Sequence, residues 1–203
     1  MYVSRHQSKR LGMKYDLTWL KQQYDSGTQP EFLFFSEMPA GPHSSSAHMM
    51  LAQWYPSGFS VQGDQYLHAA HWMMVQKAKL FDDDEAAASL LTLKDNREIK
   101  SRGRHIVGFD QRRWDDNKYS IVVLGNLHKF SQHPILRAYI SETRPMVLTE
   151  ANPDDGVWGI GMQENAPGAT NPHHWRGLNL LGFALMEVRD ILSGVVEAVS
   201  SVV

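Results

Sequence analysis

The stretch that decides how this chain folds is Ala69-Ala-His-Trp-Met-Met-Val-Gln-Lys-Ala-Lys-Leu-Phe81. It contains no Gly or Pro and one β-branched residue, Val75, so nothing in it opposes a helix. Trp72, Met73, Met74, Val75, Ala78 and Leu80 make it mostly apolar, and Lys77 interrupts that surface. An ammonium held near a buried face loses hydration, its pKa falls, and the free amine becomes a nucleophile. The competing reading is a lysine that snorkels at the helix edge, which spacing alone favours. Position 70 lies seven residues before Lys77, on the same face two turns away, and it is Ala70. The helix therefore offers no acid beside the amine. His71 has no second histidine at i+4, so no helical metal pair exists, and no metal site is expected from the scattered histidines.

Working outward, Phe32-Leu-Phe-Phe35 reads as a buried strand and residues 39–47 (PAGPHSSSA) as a loop. Phe59-Ser-Val-Gln alternates, Gly63-Asp64 supplies a turn, and Gln65-Tyr66 returns as a hairpin strand. Helices are predicted from Asp16 to Tyr24, from Asp84 to Leu91, and from the Asp115-Asp116 pair to about Lys129. Another starts at Pro134 with Ile135, Leu136, Tyr139 and Ile140 inward, and a last one runs from Leu178 to Leu192. Met146-Val-Leu-Thr149 is a strand, and Asn152-Pro-Asp-Asp-Gly156 a turn. The class is α+β, predominantly α-helical, with a few short strands.

The 203 residues fit one domain, here residues 31–192, with an N-terminal extension (1–30) and a C-terminal tail (193–203). Residues 1–12 are polar and basic and are expected to be mobile. With 42% hydrophobic and 21% charged residues the composition is globular, and a net charge of −2 argues against a general nucleic-acid coat. The absence of cysteine excludes thiol catalysis and thiolate zinc. No apolar run approaches the ~18 residues of a membrane span, and no signal peptide is evident, so an intracellular protein, cytoplasmic or nuclear, is expected.

Three further groups carry chemistry. The basic segment Lys94 to Arg113, with Gly103 and Gly108 inside it, suits phosphates, or equally a solvated face. Trp114 and Lys118 are one helical turn apart, an aromatic plane beside a cation, although most tryptophans at a helix start are core. Glu150, Asp154 and Asp155 precede Trp158-Gly-Ile-Gly161, where carboxylates on a tight turn can grip ribose hydroxyls or act as a base. No GxSxG, Walker A or GxGxxG pattern occurs.

Read together, these segments resemble the NADAR (YbiA-like) family. The matching blocks stand in family order: Gln53-Trp-Tyr-Pro-Ser-Gly-Phe59, Ala70-His-Trp-Met-Met-Val-Gln-Lys-Ala78, Gly103-Arg104, Trp114 with Lys118, and Asn126 to Phe130. Leu148-Thr-Glu-Ala151, Asp155 with Trp158-Gly-Ile-Gly161, and the run from Trp175 to Arg189 follow. The resemblance implies a single YbiA-like domain that cleaves N-glycosidic bonds to ribose, without a cofactor. Its substrates would be ADP-ribose on guanine bases of nucleic acid, so the partners expected are ADP-ribose or ADP-ribosylated guanosine. The alternatives are ribosylamino-pyrimidine phosphates of the riboflavin pathway, or no catalysis at all in an ADP-ribose or NAD binding module.

By the same resemblance, Lys77 attacks C1′ to form a Schiff base or stabilises the charge developing there, and Asp155 holds ribose or activates water. Trp114 stacks on the base or frames the pocket, Arg104 and Lys118 face phosphate, and Trp158, Asn179, His71 and Trp54 shape the substrate pocket. The departure is at position 70, where the family places a catalytic glutamate and this chain has Ala70. The expectation is an inactivated Glu→Ala variant; a naturally inactive binding member is the other explanation. A smaller departure is Phe35-Ser36-Glu37, where many relatives carry Trp-Gly.

Overall fold

In the computed structural model, residues 13–37 and 46–194 are described. The basic stretch 1–12, most of the Pro/Gly/Ser loop and the tail from 195 onward lie outside the described residues.

Asp16 caps α1 (Leu17–Asp25) by accepting from the Trp19 N–H. β1 (Phe32–Phe35) follows, then a 3-10 turn over Ser46–Leu51. β2 (Phe59–Val61) and β3 (Asp64–Tyr66) form the expected hairpin, paired Phe59 to Tyr66. Its turn is Gln62-Gly63 rather than Gly63-Asp64, because both of those residues take positive φ (51° and 93°). Such a primed two-residue turn matches the strand twist and leaves Asp64 inside β3.

α2 (Ala69–Leu80) is the quoted helix, α3 runs Asp84–Thr92, and α4 runs Asn96–Arg104. α4 has no counterpart in the sequence reading, which saw only a basic segment. It forms because Asp95 caps Arg97 and Glu98, while Ile99 and Gly103 turn inward. The 22-residue α5 (Gln111–Gln132) begins at the Asp110 cap, four residues earlier than Asp115-Asp116 suggested. Those two acids are therefore not its first turn. α6 (Pro134–Glu142) starts on Pro134 as read, but Ile135 is 75% exposed rather than inward. β4 (Val147–Glu150) and α7 (Leu180–Leu192) complete the chain. α7 starts two residues later than Leu178, which is exposed, and is buried on nearly all sides instead of along one stripe.

β1 and β4 pair in parallel, Phe32 with Val147 through Phe35 with Glu150, so the carboxyl ends of both strands emerge together. Around them packs one apolar cluster with Leu20, Leu148, Phe183 and Leu185. A second holds Phe59, Val75, Leu90 and Ile99 between the hairpin and α2–α4. α5 lies between the two, giving Val122 and Phe130 to the first and Trp114 and Ile121 to the second.

Two close approaches fix this arrangement. A Cβ on Gly125 would stand 2.4 Å from the Trp72 indole, whose Nε1–H donates to the Ile121 carbonyl at 2.9 Å, so α2 seats directly on α5. A Cβ on Gly182 would stand 2.0 Å from the Leu148 carbonyl oxygen, so only glycine lets α7 lie this close to β4. Asp190, buried on α7, is held by Lys14, Tyr15 and Arg144, which anchors the segment before α1 to the core. No helix among the described residues is long and apolar enough to cross a membrane.

Candidate active site

The carboxyl ends of β1 and β4 present three acids. Glu150 is the last residue of β4 and is 4% exposed, and Glu37 lies two residues beyond the end of β1. Asp155 sits on the turn after β4. Its Oδ1 accepts from the N–H groups of Val157 and Trp158, both at 2.8 Å, which fixes the carboxylate and leaves Oδ2 outside that turn.

Glu150 Oε2 is buried without a hydrogen-bond partner. Burial raises its pKa, the charges of Asp155 and Glu37 push the same way, and it reaches about 8. At neutral pH Glu150 is thus mostly a neutral acid, able to donate a proton. The Glu37 carboxyl is also raised, by desolvation first; Asp155 adds to this and Lys100 of α4 opposes it. The charges of Glu37, Glu150, Asp155 and Lys100 therefore act on one another in one place. The sequence marks Glu150, with Asp154 and Asp155, as a carboxylate that grips ribose or acts as a base, not as a proton donor; the signal for a buried acid is its place closing an apolar strand, Val147-Leu-Thr-Glu150.

Asn179 explains how Glu150 is held. It takes a left-handed backbone (φ 53°) just before α7 and is fully buried. Its side-chain amide runs along the edge of β4 not paired with β1. Oδ1 accepts from the Glu150 N–H at 3.0 Å, and Nδ2 donates to the Leu148 carbonyl at 2.9 Å. One side chain thus stands in for a missing neighbouring strand. Trp158 beside it is half-buried against the β-strand cluster.

α4 links this acidic end to α2. The Lys77 ammonium donates to the Gly103 carbonyl at 2.9 Å, three residues along α4 from Lys100. It also lies 4.5 Å from the Phe109 ring centroid and 5.6 Å from that of Trp114. Lys77 is half-buried, and desolvation lowers its pKa. An ammonium between two aromatic faces is favoured electrostatically as long as it stays charged. Trp114 and Lys77 are thus brought together, which linear spacing did not show.

The remaining expected residues are placed as follows. Arg104, in the last turn of α4, is exposed. Lys118 pairs with Asp115 at 2.5 Å. Trp54 packs against His68, ring centroids 4.9 Å apart. His71 is fully buried: its Nδ1 accepts from the Leu67 N–H, which leaves Nε2–H to donate to the Leu90 carbonyl at 2.9 Å. Both ring nitrogens thus bind main chain. Ala70 is also fully buried, and its N–H donates to the Gln53 carbonyl at 3.0 Å.

A separate open cleft of about 780 Å³ is lined by Tyr24, Phe32, Phe34, Met146 and Thr170. None of the acids or lysines above lines it, so its size does not make it the chemical centre. Among the described residues no cluster of three or more His, Cys, Asp or Glu is arranged to hold a metal ion.

Comparison with known proteins shows the family and the fold. Residues 35–193 match the family model described as the NADAR domain. The chain is 33% identical over 165 residues to an N-glycosidase of Acanthamoeba polyphaga mimivirus, covering 79% of this chain and 95% of that protein. It is 27% identical over 133 residues to the N-glycosidase YbiA of Escherichia coli, covering 66% and 74%. The NMR structure of the E. coli protein YbiA shares the fold, with a TM-score of 0.62 over 80% of this chain and 86% of that one, at 22% identity. A riboflavin biosynthesis protein of Zea mays, chloroplastic PYRR, is 30% identical over 129 residues, 64% of this chain but 18% of that longer protein.

Proposed function

The chain belongs to the NADAR family, and from that premise we propose that its site is built to break an N-glycosidic bond to ribose in ADP-ribose attached to guanine. The observation that carries the reading is Glu150, a buried neutral acid beside the oriented carboxylate of Asp155. Cleaving such a bond requires a proton for the departing base and a water made nucleophilic at C1′. Glu150 supplies the proton. Asp155 accepts one from water, whose oxygen bonds to C1′ as the C1′–N bond breaks. In the alternative route the neutral Lys77 amine takes the place of that water. It bonds to C1′ as the C1′–N bond breaks, forming a Schiff base that water later hydrolyses; short of attack, its lone pair faces the positive charge developing at C1′. Trp114 offers a face for the base, and Lys100, Arg104 and Lys118 supply positive charge for a diphosphate.

Ala70 stands where the family resemblance places a glutamate. A glutamate there, on the face of α2 that carries Lys77 two turns on, would shuttle the proton of that amine; losing such a group costs ~10²–10⁴-fold in rate, so this chain reads as a strongly impaired enzyme. The test is release of ADP-ribose from an ADP-ribosylated guanosine oligonucleotide by the Ala70→Glu protein. Turnover at least a hundredfold above the Ala70 chain is expected, and absence of release refutes the reading. The similarity to the Zea mays protein favours a second substrate class, ribosylamino-pyrimidine phosphates. Turnover of those alone by the same variant would select it.

A further inference from the structure

The amino end of α2 holds a second buried amine, whose pKa burial lowers to about 7, so that a negatively charged partner is what would hold it fully protonated. Lys129 of α5 is fully buried, and its ammonium makes one hydrogen bond, to the Ala52 carbonyl at 2.9 Å. The rings of Tyr55 and Phe130 lie 5.6 and 4.9 Å from it. An ammonium has three N–H donors, so two find no oxygen among the described residues, and no salt bridge among them places a carboxylate on it. Next to Ala52, the Gln53 side chain is 7% exposed, with both amide atoms buried and unpartnered. Asn126, one turn before Lys129 on α5, is fully buried and leaves Oδ1 unused. Native proteins rarely leave such groups empty-handed.

The place these groups surround is defined by two consecutive carbonyls. Ala52 O receives Lys129, and Gln53 O receives the N–H of Ala70 in the first turn of α2. Burial lowers the pKa of His68, the α2 cap, to about 4 and holds that imidazole neutral, and the Lys129 charge adds a smaller push the same way. A cation facing the positive end of a helix dipole is repelled unless an anion lies between them. The unused N–H groups of Lys129 and of the Gln53 amide, beside the amino end of a helix, fit one ligand class, a carboxylate.

We propose that Lys129 and Gln53 form a buried seat for a carboxylate at the first turn of α2, beside position 70, which in this chain accepts a small free carboxylate such as formate. The Lys129 ammonium and the Gln53 amide N–H groups donate to the two oxygens. A glutamate at position 70 fills the seat from within the chain; only that identification of the natural occupant rests on the glycosidase reading above. Lys129 and Gln53 are then positioning residues for the carboxylate, with no contact to substrate required.

The experiment compares thermal unfolding in sodium formate with sodium chloride at equal ionic strength, for the full chain. Formate at ten times its Kd is expected to raise the folding equilibrium constant about elevenfold over chloride. Gln53→Leu and Lys129→Met should lose this gain, and so should Ala70→Glu, whose own side chain fills the seat. If Lys129→Met does not fold, Gln53→Leu decides, since that side chain has no hydrogen bond to lose. No formate-specific gain in the Ala70 chain, or a gain that survives in Gln53→Leu, overturns the seat. Release of ADP-ribose in formate is read separately: formate binding without release supports the seat and counts against a catalytic carboxylate at position 70.

Discussion

Replacing Glu150 by glutamine should change how stability depends on pH more than it changes stability itself. The carboxyl titrates near 8 in the folded chain, against an ordinary value of 4.5. Between those values the native state keeps a proton that the unfolded chain has released. The native state then binds more protons, so unfolding free energy falls as pH rises through this window, by about 1.4 kcal/mol per pH unit. Burial is the largest cause of the shift, and the neighbouring charges of Asp155 and Glu37 push the same way. Glutamine keeps the shape and cannot ionise, so its curve lacks this slope. The stability difference between Glu150→Gln and the parent should grow in favour of glutamine by about 3 kcal/mol from pH 5 to pH 7. Urea denaturation at half-unit pH steps measures it. Curves that stay parallel would mean that Glu150 is ionised throughout, and the proton donor assigned to the leaving base would be lost. In the Ala70→Glu background the same substitution should also abolish release of the base.

Other substitutions probe the frame around this acid. Asn179→Ala strips two hydrogen bonds from the free edge of β4 and leaves the Glu150 N–H and Leu148 carbonyl unsatisfied, so a loss of about 2–4 kcal/mol is expected in chemical denaturation. A loss under 0.5 kcal/mol would show that the clasp is not holding the strand. Gly125→Ala drives a methyl against the Trp72 ring, and overpacking of about 1–3 kcal/mol should appear in the same assay, together with altered indole fluorescence. Lys77→Met keeps the side-chain length without the amine. Borohydride treatment of substrate-loaded Ala70→Glu protein should leave an adduct on Lys77 that Lys77→Met lacks, and no adduct in either protein would reject the covalent route.

Much of the frame was legible because local rules and packing agree along it. Phe32–Phe35 reads as a strand and is one, and the hairpin, the Asp16 cap and the Pro134 start follow the same local chemistry. α4 escaped notice because its signal is one buried face, Ile99 and Gly103, in an otherwise charged run. A glycine inside a helix reads as a break, yet here a Cβ would strike Met74 at 2.3 Å, so close packing against α2 selects it. The family blocks gave Lys77, Trp114, Asp155 and Asn179 as site residues, and the structure places Lys77 against Trp114. It also shows Asn179 acting on the strand that carries Glu150. The acidity of Glu150 was not legible, since it comes from burial under segments distant in sequence. Lys129 was hidden for a related reason: it shares the buried face of Val122 and Asn126, but a cation on such a stripe reads as its edge, not its centre.

The pairing of β1 with β4 also sets the order in which this site comes into being. The two strands are separated by more than a hundred residues, and every helix from α2 to α6 is formed between them. α2 to α5 can assemble through contacts among neighbours, whereas closing so long a loop comes late and contributes nothing until it is complete. On a ribosome the chain therefore acquires its lysines and aromatic faces first. Glu37, although synthesised early, meets Glu150 and Asp155 only when β4 has docked. Mutual repulsion of those acids is a burden that only the finished fold bears, and an incomplete chain has neither the burden nor the proton donor it creates.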